Sequence, residues 1–73
     1  MDFYSQMVEV MEYLIAEYTD VGFYRADAIA RVIPGIEELR LHFEQNNDPQ
    51  AADEYRQALD YLRKQRLAIW RKC

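Results

Sequence analysis

Residues 29–43 read Ile29-Ala30-Arg31-Val32-Ile33-Pro34-Gly35-Ile36-Glu37-Glu38-Leu39-Arg40-Leu41-His42-Phe43, and the fold turns on what Pro34-Gly35 does in the middle of them. Proline has no amide hydrogen to give to a helix, and a Pro-Gly pair ordinarily marks a break. Yet Ile29, Val32, Ile36, Leu39 and Phe43 stand 3, 4, 3 and 4 residues apart, so one apolar stripe keeps its phase across the proline. Two helices meeting at a turn have no reason to stay in phase. The spacing predicts one helix over 24–46 with a kink at 34–35, in preference to two short helices broken there.

The flanking segments are also helical. Downstream, Asn46-Asn47-Asp48-Pro49 combines turn-forming Asn and Asp with an N-capping Asp48 and a proline at the first helical position. A helix over 49–71 follows, with its stripe at Ala52, Tyr55, Leu59, Leu62, Arg66 and Ile69, broadened by Ala51, Ala58 and Trp70. So short a connection makes these two helices antiparallel neighbours. Upstream, Asp2 is placed to cap a helix over 3–18 whose apolar positions are Phe3, Met7, Val10, Met11, Leu14 and Tyr18. Tyr4, Val8 and Ile15 widen that stripe to roughly 160°, more than one neighbour needs. Thr19-Asp20-Val21-Gly22 supplies a glycine stop. The expected fold is all-α: a helical hairpin with an N-terminal helix across it, as a three-helix bundle or as half of an intertwined dimer. The ten residues Asn46–Tyr55 resemble the hairpin turn of type III secretion needle subunits, through capped-turn chemistry that carries no function across.

Composition sets further bounds. A chain of 73 residues, 51% apolar and 14% aromatic, is one small domain and not a disordered segment. Its core supplies about 3–5 kcal/mol, and domains of this size commonly add a disulfide, a metal or a partner. The one cysteine is Cys73 and the one histidine is His42, so an internal disulfide and a Cys/His zinc site within one chain are both excluded. A homodimer or another protein is then the expected staple. No apolar run is long enough to span a membrane, and Met1-Asp2-Phe3-Tyr4 lacks the pattern of a signal peptide, so a cytoplasmic location is expected.

Candidates for chemistry are sparse. His42 and Glu38 are an i, i+4 pair of a kind common on helix surfaces. Cys73 is terminal and lacks a base; oxidation between chains is its expected chemistry. Glu37-Glu38 and Asp53-Glu54 are adjacent residues, and helix neighbours diverge by about 100°, so neither pair converges on one proton or metal ion. No catalytic residue, metal site or cofactor is expected.

Candidates for binding are better marked. Residues 1–20 carry five acids and no Lys or Arg, whereas 61–73 carry Arg63, Lys64, Arg66, Arg71 and Lys72 and no acid. Either the two ends attract each other within the chain, or the basic end faces an anionic partner. Basic residues interleaved with Tyr61 and Trp70 are one chemistry for tracking a phosphate backbone, opposed here by a net charge of −4. Arg66 interrupts an apolar stripe. It is expected to snorkel past the core edge, to pair with a helix-one carboxylate such as Glu17, or to meet a partner. Tyr13, Tyr24, Leu41 and Tyr61 fall off their stripes, and exposed Tyr beside Arg is the composition of protein-binding hot spots. Tyr13, Tyr24, Leu41, Tyr61, Arg63 and Arg66 are the expected contact residues of a protein-binding module (adaptor, escort or inhibitor). A nucleic-acid-associated regulator and a self-assembling structural subunit are the alternatives.

Overall fold

The computed structural model of the chain describes residues 3–71 as three α-helices: α1 at Phe3–Asp20, α2 at Arg25–Gln45 and α3 at Pro49–Arg71. Among the described residues there is no strand, and the fold is an all-α three-helix bundle. The helix-one cap expected of Asp2 lies outside the described residues.

Both connections are closed by local backbone chemistry. At the end of α1, Gly22 takes a φ of +108°, a conformation that side chains with a Cβ rarely adopt. The Gly22 amide donates to Thr19 O at 3.1 Å and that of Phe23 to Tyr18 O at 3.2 Å, the paired hydrogen bonds of a Schellman ending. The apolar contact that accompanies such an ending is the edge-to-face pair Tyr18–Phe23, with ring centroids 5.7 Å apart. The end of α2 repeats the arrangement. Asn47 has φ +58°, its amide donates to Glu44 O at 3.3 Å, and the Asp48 amide donates to Phe43 O at 2.9 Å. Asp48 then caps α3 as the sequence predicts, its Oδ1 accepting from the Ala51 amide at 3.2 Å.

This turn folds α3 back along α2. Phe43 stacks on Tyr55 at 5.5 Å, Glu44 meets Arg56, and Arg63 donates to Glu37 at 2.7 Å, so the two helices run antiparallel. The helix α2 continues without interruption through Pro34. Ile29, Val32 and Ile36 are buried on one side, while Pro34 and Gly35 lie exposed. The stripe therefore holds the helix together where the proline removes a hydrogen bond.

The core is small and draws on all three helices: Met7, Met11 and Ile15 from α1; Ala28, Ile29, Val32 and Ile36 from α2; Ala58, Leu59 and Leu62 from α3. On α1 the buried line is narrower than its wide stripe predicts. Met7, Met11 and Ile15 follow one another at four-residue steps and point inward, while Val10 is 53% exposed and Phe3 and Tyr4 are also exposed. Val10 lies about 100° around the helix from Met11 and so falls on the flank. Trp70, expected to broaden the α3 stripe, is likewise 53% exposed. It sits about 100° around from Ile69, which does pack on the core. Leu39 keeps the α2 phase yet is exposed, because α1 covers only part of the hairpin.

Two substitutions probe this packing by urea unfolding. Leu62→Ala removes a fully buried side chain. It is expected to cost about 2–5 kcal/mol, enough to leave a domain of this size largely unfolded. Gly35→Ala acts in the opposite direction. Gly35 has ordinary helical backbone and a Cβ there meets nothing within 4 Å. The midpoint should rise by the equivalent of about 0.5–1 kcal/mol.

Candidate functional site

One polar node ties the three helices together. Glu12 projects from the flank of α1, one residue beyond the core position Met11. Arg25, in the first turn of α2, donates to both its oxygens, Nη2 to Oε1 at 2.7 Å and Nη1 to Oε2 at 2.9 Å. The Tyr61 hydroxyl of α3 donates to Oε1 at 2.5 Å. A fork-on-fork guanidinium–carboxylate pair fixes orientation as well as distance. The arginine hydrogen bonds hold the Glu12 carboxyl below its ordinary range, against the opposing effect of burial, and the Tyr61 bond acts in the same direction. Burial, followed by the bond to Glu12, pushes the Tyr61 phenol up to about 12. The node sits at the surface, where screening limits an ion pair to about 1 kcal/mol, so its main effect is to set how α1 lies on the hairpin.

With α1 held there, its outer flank is left open. Phe3, Gln6, Val10, Tyr13, Glu17 and Asp20 follow one another at steps of 3, 4, 3, 4 and 3, a second helical line beside the buried one. All six are exposed. The upper half of this line forms one wall of a groove of about 210 Å³ between α1 and α3. Phe3, Met7, Val10 and Met11 face Tyr55 and Ala58 across it, and Gln6 and Glu54 supply its polar groups. The lower half is acidic. The Tyr13 phenol is held above its ordinary value by its hydrogen bond to Glu17.

The expected contact residues divide. Tyr13 (65% exposed), Tyr24 (82%) and Leu41 are exposed as their off-stripe positions predict, on three separate stretches of the chain. Tyr24 also occupies the N-cap of α2, with extended backbone (φ −67°, ψ 153°) and no side-chain capping bond. Asp, Asn, Ser or Thr would serve stability better at this position. Tyr61 differs from these three in being only partly exposed. It is half-buried against the core and held by Glu12, because its place beside Leu62 turns it toward α1.

The basic residues of α3 are also largely engaged inside the molecule. Arg56 meets Glu44, Arg63 meets Glu37, and Lys64 pairs with Asp60 of its own helix at 2.9 Å. The expected attraction between the acidic first helix and the basic last one is therefore not what the ion pairs show. Among the described residues α1 draws its cation from Arg25, and α3 draws its anions from α2 and from itself. Nor does Arg66 reach Glu17. Its guanidinium lies over the Trp70 ring, 4.4 Å from the centroid, and its Nε is buried with no hydrogen-bond partner among the described residues. The i, i+4 spacing brings the two together, which explains how a cation occupies a stripe position.

No group of three or more potential metal-ligating side chains occurs among the described residues. His42 is exposed and sits edge-to-face with Phe43 at 5.3 Å, while the Asn46 side-chain amide donates to the His42 carbonyl at 2.7 Å. Cys73 lies outside the described residues. No helix among them is long and apolar enough to cross a membrane. The groove is not legible from the first stripe alone, because Phe3 and Val10 fit the apolar spacing expected to face the core. The signal that identifies it is the second 3–4 series on α1, which one neighbouring helix cannot cover along with the first.

Tyr61→Phe tests the node through pH. A phenol whose folded value lies above its unfolded one stabilises the fold fully below the unfolded value and loses that contribution as pH rises through the folded one. For Tyr61 this window runs from the usual 10 to about 12. The wild-type protein should lose more stability across it than Tyr61→Phe does, measured as urea midpoints at stepped alkaline pH. Equal losses would place the proton elsewhere.

No protein-family model, no curated protein and no solved structure matches this chain.

Proposed function

We propose that this protein is a protein-binding module, an adaptor, escort or inhibitor that receives an apolar helical segment of its target along the outer flank of α1. The observation that carries this reading is the open line Phe3–Gln6–Val10–Tyr13 beside the groove walled by Tyr55 and Ala58. Helix-in-groove recognition uses this surface, with apolar anchors entering between two helices and polar residues at the rim. The groove is mostly apolar with few polar groups, as recognition sites are, and aromatic and methionine side chains line it. Tyr24 supports the same reading from outside the groove, because an aromatic residue stands there at some cost to helix capping. Nucleic-acid binding through α3 is the weaker alternative, since Arg56 and Arg63 already have carboxylate partners on α2 and the chain is acidic overall.

Val10→Asp tests this. Val10 is half-exposed on α1, so the helix content and unfolding midpoint of the variant should stay close to wild type. Capture of protein from a nuclease-treated lysate by immobilised wild-type protein should be lost by the variant. Capture that Val10→Asp leaves intact would sink the groove as the docking site, and capture abolished by nuclease would favour the nucleic-acid alternative.

A further inference from the structure

The lower half of the α1 flank and the outer face of α3 are complementary in charge and spacing. On α1, Glu9, Tyr13 and Glu17 stand four residues apart, an exposed aromatic ring with a carboxylate one turn to either side. On α3, Lys64, Leu67, Ala68 and Arg71 line a shallow concavity, an exposed leucine and alanine between two cations seven residues apart. At about 1.5 Å per residue the carboxylates are separated by about 12 Å along their helix and the cations by about 10.5 Å. Tyr13 stands 65% exposed, the most prominent apolar side chain of α1. Glu9 and Glu17 make no ion pair among the described residues, and neither does Arg71. Lys64 pairs only with Asp60, in an exposed i, i+4 contact that is readily exchanged. Within one chain, α1 meets α3 chiefly through Glu12 and Tyr61 and through the groove around Tyr55 and Ala58, with Tyr4 near enough to Lys64 to interact with its charge.

We infer that a second copy of this chain docks here: Tyr13 of one protomer seats in the Lys64–Leu67–Ala68–Arg71 concavity of the other, flanked by Glu9 and Glu17 against Lys64 and Arg71. The contact is made twice about a two-fold axis, so that both halves of the charge pattern are satisfied and the assembly closes at two copies. A second copy is the favoured occupant because the chain carries both halves itself, acids without cations in residues 1–20 and cations without acids in 61–73. Its small core also lacks any internal disulfide. This inference shares with the proposed function the reading of the α1 flank as a contact surface, but uses Glu9, Tyr13 and Glu17 and leaves the groove open.

Charge reversal on each side provides the test, read by sedimentation velocity and light scattering of the full chain. The wild-type protein should reach twice its 8.8 kDa mass as concentration rises and grow no further. Glu9→Lys/Glu17→Lys places cation against cation in a self-dimer, and Lys64→Glu/Arg71→Glu places acid against acid. Each variant, checked for helix content by circular dichroism, should remain monomeric where wild type is dimeric. Mixed in equal amounts they should form a heterodimer, because both contacts are then complementary. A wild type that stays monomeric at all concentrations, or grows beyond two copies, overturns the inference. So does a variant that dimerises alone as wild type does, or a mixture that stays monomeric. The two readings separate cleanly. A monomer that still captures protein through Val10 removes only the self-docking, and a dimer whose Val10→Asp variant still captures removes only the groove.

Discussion

The bundle depends on one shared core to which each helix gives a large side chain essentially inaccessible to solvent: Ile15 of α1, Ile29 of α2 and Leu62 of α3. Burying a large aliphatic side chain contributes about 1.5–3 kcal/mol, so a few such residues make up much of what a chain this short can gain. Everything else is arranged around that point. The capped turn at Asn47-Asp48 brings Leu59 and Leu62 back over Ile29, Val32 and Ile36, and the Gly22 turn returns α1 to the same place. The proline in α2 is tolerated because the stripe on the opposite side of that helix already fixes it in place.

The small core has a consequence for the surface. A helix with an apolar sector as wide as that of α1 needs two neighbours along its whole length, and the hairpin fully covers Met7, Met11 and Ile15, partly covers Val8, Leu14 and Tyr18, and leaves Phe3, Tyr4 and Val10 exposed. The polar node formed by Glu12, Arg25 and Tyr61 joins all three helices while Phe3 and Val10 stay exposed on α1. The open flank and the groove are thus products of how the core is oriented.

Charge follows the same logic. The α3 cations that lie beside α2 find Glu37 and Glu44, and Arg66 is screened by the Trp70 ring. On the outer face Lys64 pairs with Asp60 of its own helix, and among the described residues Arg71, Glu9 and Glu17 make no ion pair.

What the sequence determined by itself is local. The three helices, the proline carried inside α2, the Asp48 cap and the glycine stop at Gly22 were legible because each follows from backbone chemistry or from a 3–4 repeat. Most of the core was legible for the same reason, since Met7, Met11, Ile29, Val32, Ile36, Leu59 and Leu62 all lie on stripes. The exposure of Tyr13, Tyr24 and Leu41 followed from their positions off those stripes. What only the tertiary structure decided is which part of a wide stripe faces inward and which cation meets which acid. Val10 and Trp70 have the composition of core residues and Tyr61 that of a surface contact, yet each is placed otherwise by a rotation of about 100° about its helix axis. A single chain's periodicity specifies that a helix has an apolar side, but the angle at which that side meets its neighbours is set by contacts such as Glu12 with Arg25 and Tyr61, thirteen and forty-nine residues apart in the chain.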